Sequence, residues 1–323
     1  MKTRTELKIK PSLSKISYKD NILCLGSCFA ENIGELLIRH KFKTIINPFG
    51  TIYNPVSITN LISNASSDFQ LNEELYIERN EIFNHYHSHS KLASTDLDEL
   101  KTNCETALNQ LKICLKKCNK IIITLGTAYV HLLKKNKEIV ANCHKMPANL
   151  FEKKLLSHLE INKSLDTIRS ILGSKKEIIY TVSPIRHIKE GLEENNLSKS
   201  MLRVAIAEQI IKDKKTSYFP AYEIMNDDLR DYRYYNDDMI HPNTRAIQYI
   251  WDKFIATYLN ETERYIINNV IKLVKQSEHK AFFPNTTQHQ LFIKNTILKM
   301  KEMSNIDFEK EIKKLEQQLN EKS

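Results

Sequence analysis

Asn21-Ile22-Leu23-Cys24-Leu25-Gly26-Ser27-Cys28-Phe29-Ala30-Glu31-Asn32-Ile33-Gly34 is the stretch on which the fold turns. Asn21 to Leu25 is a short apolar run that stops at a glycine, the mark of a buried strand. Helical periodicity follows at once, with Phe29, Ile33, Leu36 and Leu37 on one face. The unit is strand, tight turn, helix, and Ser27 sits in the turn.

The same punctuation recurs downstream. Phe42 to Ile46 reads as a second strand and ends in the turn signal Asn47-Pro48-Phe49-Gly50. Ile121 to Leu125 is a third and ends at Gly126. Glu177 to Val182 is a fourth and ends in Ser183-Pro184. Ser217 to Phe219 is a short fifth. Helical patterns such as Leu97 to Leu115 and Leu197 to Ile211 lie between them. Strands alternating with helices imply an α/β protein with a mostly parallel sheet covered on both faces. Such sheets bind ligands at the carboxyl ends of their strands. That rule places Ser27, Gly50, Gly126 and Ser183 along one rim. Pro242 suits the first position of a further helix whose apolar face is Ile247, Ile250, Trp251 and Phe254. Residues 1–260 form this domain, and 261–323 read as a helical extension that packs on the domain or on a partner.

The 323 residues, 41% hydrophobic and 27% charged, are those of a folded chain and not a disordered one. The net charge is +9. Lysines are spread along the chain without the basic stripe and interleaved aromatics of a nucleic-acid binder, so a nucleic-acid partner is not expected. Met1-Lys2-Thr3-Arg4-Thr5-Glu6 is polar, and no segment is apolar and long enough to span a membrane. A cytoplasmic protein with reduced thiols is expected. Cys114 and Cys118 have helical spacing but no His or Cys partners at zinc-site distances, which reads as buried thiols.

A serine hydroxyl needs a neighbouring base, and the base needs a carboxylate to fix its tautomer. Ser27 at a strand-to-helix turn reads either as a helix cap or as a nucleophile whose amide faces the anion-favouring end of a helix. Asp238-Met239-Ile240-His241 puts an acid three residues before a histidine, so Asp238 can reach Nδ1 of His241 while Nε2 faces outward. His85, His87 and His89 alternate, and on a strand they would share a face. No carboxylate or cysteine completes a metal set, so no metal is expected and a pocket-lining role for His87 and His89 is preferred. Cys28, beside Ser27, is a competing nucleophile that should turn away from the strand end. Arg186 and His187 could bind an anionic or hydroxyl-rich substrate.

Gly26-Ser27-Cys28-Phe29-Ala30 with Glu31-Asn32-Ile33-Gly34 resembles the GSCFA family, grouped with the SGNH (GDSL-like) hydrolases. The resemblance continues through Asn47-Pro48-Phe49-Gly50-Thr51-Ile52-Tyr53-Asn54-Pro55, Thr124-Leu125-Gly126-Thr127-Ala128 and Asn142-Cys143-His144-Lys145. It runs on through Thr181-Val182-Ser183-Pro184-Ile185-Arg186-His187, Tyr218-Phe219-Pro220-Ala221-Tyr222-Glu223 and Asp238-Met239-Ile240-His241-Pro242. It covers about residues 1–260. The resemblance implies a three-layer α/β/α flavodoxin-like fold and a catalytic set of Ser27, His241 and Asp238. It also implies an oxyanion hole at the amides near Ser27, Cys28 and Gly50. One departure stands out: Ala128 occupies the place of an asparagine that donates to the oxyanion in that superfamily, leaving Thr127 or Asn142 to supply the donor. Asn47, Asn54, His87, His89, His144, Arg186 and His187 are the expected substrate-binding residues. The expected activity is hydrolysis of an acyl ester, with a small molecule or carbohydrate ester as substrate and no cofactor. A non-catalytic binding protein of the same fold is the competing expectation, and a homo-oligomer formed through the C-terminal helices is a further one.

Overall fold

The structure, a computed structural model, describes residues 5–67 and 71–320. Its central sheet has five strands: β1 (Asn21–Gly26), β2 (Lys43–Ile46), β3 (Lys120–Leu125), β4 (Glu177–Val182) and β5 (Thr216–Tyr218). All neighbours pair in parallel, in the order β5-β4-β3-β1-β2. The strand order reverses between β1 and β3, and that switch point lies directly beyond Gly26. All five strands read from the sequence are present, with ends shifted by a residue or so.

Alternation along the strands builds the layers. Ile22, Cys24, Ile122 and Ile179 face one side, where α1 (Cys28–Arg39) contributes Phe29, Ile33 and Leu37. Leu23, Leu25, Ile121, Ile123, Tyr180 and Val182 face the other side. There they meet α2 (Pro55–Ser66), α3 (Leu97–Lys117), α4 (His158–Leu172) and α5 (Leu192–Lys212). Each fully buried aliphatic or aromatic side chain adds about 1.5–3 kcal/mol to this packing. The result is the three-layer α/β/α architecture expected.

The domain's last helix, α6 (Thr244–Tyr258), does not start at Pro242. Asn243 is its cap, with Oδ1 accepting from the Ala246 amide at 3.1 Å, and Pro242 instead bridges to Tyr235. The extension holds α7 (Glu261–Glu278), α8 (Thr287–Glu302) and α9 (Glu309–Asn320); residues 321–323 of the expected range lie outside the described residues. Ile267, Val270, Ile293, Ile297, Met300 and Leu315 from these helices share one hydrophobic cluster with Trp251, Phe254 and the α1 face. The sequence reading did not anticipate two small antiparallel sheets, a hairpin of Tyr76–Arg79 with Ile82–His85 and a three-stranded sheet of Tyr129–Leu133, Ile139–Val140 and Phe151–Leu155.

Candidate active site

The serine turn is built from backbone upward. Gly26 has φ +128°, and a side chain there would strike the Thr124 carbonyl of β3. Its amide donates to Asn47 Oδ1 at 2.8 Å, while its carbonyl accepts from the Ile52 amide at 2.9 Å. Ser27 is 1% exposed. Its hydroxyl caps α1 by accepting from the Phe29 amide at 3.3 Å.

This geometry corrects the expected oxyanion hole. The Ser27 amide donates to the Thr124 carbonyl at 3.1 Å, because the positive φ of Gly26 turns the chain back onto β3. The Gly50 amide donates to the Asn47 carbonyl at 2.7 Å, closing its own turn. Both are spent in this conformation. The Cys28 amide, in the first turn of α1, has no acceptor among the described residues and remains a donor at the favourable end of the helix. Thr127 Oγ1 lies 3.1 Å from Ser198 Oγ and accepts from the Tyr129 amide at 3.0 Å. Asn142 Oδ1 accepts from the His144 amide at 2.9 Å, within a separate loop.

Asp238 and His241 form the pair the spacing suggested. His241 Nδ1 and Asp238 Oδ2 are 2.6 Å apart. The other carboxylate oxygen accepts from the amides of Ile240 and His241, each at 2.9 Å. Those two backbone donors, then the imidazole, hold the Asp238 carboxyl down at about 2. The loop makes this turn with Met239 at φ 56°. The side chains are 43% and 44% exposed, and Nε2 of His241 has no partner among the described residues. No hydrogen bond joins it to Ser27 Oγ among them.

Between these two regions lie the expected His187 and two residues not singled out for a role, Tyr53 and Lys199. Tyr53 accepts at its carbonyl from the Gly126 and Thr127 amides, at 2.7 and 3.1 Å. Its hydroxyl meets Thr51 Oγ1 at 3.2 Å and Cys28 Sγ at 3.5 Å. Burial, and then the Cys28 contact, push that phenol up to about 12, so it stays protonated. His187 stands edge-on to Tyr53, ring centres 5.5 Å apart. Its Nε2 is buried and unpartnered. Burial, with the charges of Lys199 and His241, pulls its ring down to about 3, so it is neutral near pH 7. Lys199 is 1% exposed and donates to the Ser183 carbonyl at 2.9 Å, and burial lowers its ammonium to about 7. A signal for Lys199 was present: it falls on the stripe Asn195, Ser198, Leu202, Ala205, Ile206 and Gln209 that α5 buries.

Several expected binding residues are committed elsewhere. Asn47 braces the Gly26 turn. Asn54 caps α2, accepting from the Ser57 amide at 2.8 Å. His87 does not share a strand face with His85 and His89, because the strand ends at His85. Its Nε2 lies 3.2 Å from Glu138 Oε1. His144 buttresses the same loop through the His85 carbonyl and Ser90 Oγ, at 2.9 and 3.2 Å. His89 packs under Gly50, where a Cβ would collide with it, and caps the following turn through Nδ1. Arg186 and His187 remain on the rim. A 650 Å³ cleft lies away from Ser27, between residues 5–8 and 227–234. A void of about 10 Å³ lies next to Gly26, Asn47 and Gly50. Among the described residues no group of His, Cys, Asp and Glu is placed to hold a metal, and no helix is long and apolar enough to cross a membrane.

Residues 21–254, most of the chain, match the GSCFA family. The chain belongs to the GSCFA family. The GSCFA match runs from the first residue of β1 into α6, so it spans both the serine turn and the Asp238–His241 loop. A second match, to the GSCFA domain protein C-terminal domain, covers residues 270–321. No curated protein matches the chain.

Proposed function

We propose that this protein is an acyl-ester hydrolase of the SGNH type, with Ser27 as nucleophile, His241 as base and Asp238 as its orienting carboxylate. The observation that carries this reading is the 2.6 Å Asp238–His241 bond in a chain whose serine ends β1 at the switch point of a parallel sheet. Asp238 fixes His241 as the Nδ1–H tautomer, leaving Nε2 to take the serine proton. Ser27 Oγ then attacks the ester carbonyl, the alcohol leaves with the proton from His241, and water releases the acyl group. The Cys28 amide supports the oxyanion. Ser27 is 1% exposed, so attack requires the turn to open to substrate. A sugar bearing an acetyl ester is a substrate of this class. Ser27→Ala should abolish release of 4-nitrophenol from 4-nitrophenyl acetate, and a fluorophosphonate probe should label Ser27 in the parent protein. Residual turnover at the parent rate in the Ser27→Ala variant would refute the assignment.

A second reading, a non-catalytic ligand-binding member of this fold, is favoured by one observation. Ser27 is buried as a cap, and the two amides that would serve an oxyanion are bonded internally. A folded protein that the fluorophosphonate never labels supports that reading over the first.

A further inference from the structure

Arg186 follows β4 on the same rim. Its backbone amide donates to the Ile240 carbonyl at 3.3 Å, between Asp238 and His241. Its guanidinium lies 4.0 Å from the centre of the Tyr235 ring and 5.2 Å from that of Tyr232. Tyr235 is 7% exposed and Tyr232 62%, so the platform is anchored on one side and open on the other. Stacking of this kind fixes a planar cation without using its N–H donors.

Those donors meet no carboxylate. Among the described residues no acid forms an ion pair with Arg186. Three acids of the neighbouring segments have other partners: Asp231 pairs with Arg233 at 3.4 Å, Asp238 with His241, and Glu223 with Arg203 at 3.3 Å.

We propose that Arg186 is the anion-binding arm of this site, so that the ester it accepts carries a phosphate or carboxylate group. The guanidinium takes that group through paired N–H donors on its open edge, in the geometry that arginine offers both anions. This inference rests on the reading of Asp238 and His241 as the acid–base pair.

Inorganic phosphate, glucuronate and glucose serve as probes, with two readouts. Phosphate or glucuronate, and not glucose, should raise the melting temperature of the parent protein and slow fluorophosphonate labelling of Ser27. Which of the two anions acts more strongly identifies the group. Arg186→Met should weaken the anion's effect roughly tenfold to a hundredfold in concentration. Arg186→Lys, which keeps the charge and loses the stack, should fall between them and guards against a collapsed loop. No shift with either anion in the parent, or an undiminished shift in folded Arg186→Met, overturns the proposal. Anion-dependent stabilisation in a protein that the probe never labels leaves the anion arm standing and removes the hydrolase reading.

Discussion

The Ser27 turn and the Asp238–His241 loop sit on one rim and are built in opposite ways. The first is over-determined. It is buried, tied to β3 by the Ser27 amide, braced by Asn47, and dependent on a glycine that no side chain can replace. The second is a solvent-facing loop centred on three bonds to a single carboxylate and held by backbone bonds from Arg186 to Ile240 and from Asn236 to His241. The difference teaches where each element's cost falls. Backbone changes at the turn should act on folding, and changes at the loop on the proposed chemistry alone.

The largest expected effect is at the loop. Asp238→Asn should lower ester turnover by about 10⁴-fold, since the wrong tautomer of His241 is then held. The melting temperature should barely move, because the carboxylate is solvent-exposed. A large fall in melting temperature would erase the contrast. Next is Gly26→Ala, expected to cost about 3 kcal/mol or more, from positive-φ strain and collision with the Thr124 carbonyl. Urea unfolding measures it, and near-parent stability would show that the turn is less constrained than described. Leu315→Ala, in α9 at 2% exposure, should cost about 2–5 kcal/mol. It should lower the same cooperative transition that Gly26→Ala lowers. A separate early melting step would show instead that the C-terminal helices unfold independently.

The smallest effect sharpens the region behind the rim. The folded-state pKa of Lys199 is pulled down to about 7 by burial, against about 10.4 unfolded. Between those values the unfolded chain binds the proton and the folded chain does not, so stability rises with pH. The gain is on the order of 1 kcal/mol per pH unit across that window. Lys199→Met should remove this slope. Urea midpoints at pH 7 and 9, compared between variant and parent, measure the difference. Equal slopes would mean that Lys199 is solvated.

The sequence made the central sheet legible because its strands are short apolar runs ended by Gly or Pro, a signal that needs no tertiary context. The Asp238–His241 pair was legible for the same reason, since three residues close its geometry. The two small sheets were not, because Tyr129–Leu133 and Phe151–Leu155 mix polar and apolar residues and pair at long range. The commitments of the Ser27 and Gly50 amides were invisible too, since backbone donors leave no trace in residue identity. Arg186 could be picked as a cation near the rim. Its stacking on Tyr235 beside Tyr232 depends on a loop that folds back some 45 residues later.

One consequence follows from the far end of α1. Ser27 caps its first turn. At its other end Arg39 pairs with Glu278 at 2.6 Å, Lys41 pairs with Glu311 at 2.5 Å, and His40 stacks on Trp251 at 5.2 Å. The helix is a short rod with the serine at one tip and the C-terminal helices gripping the other. The serine and the C-terminal helices thus meet opposite ends of one twelve-residue helix.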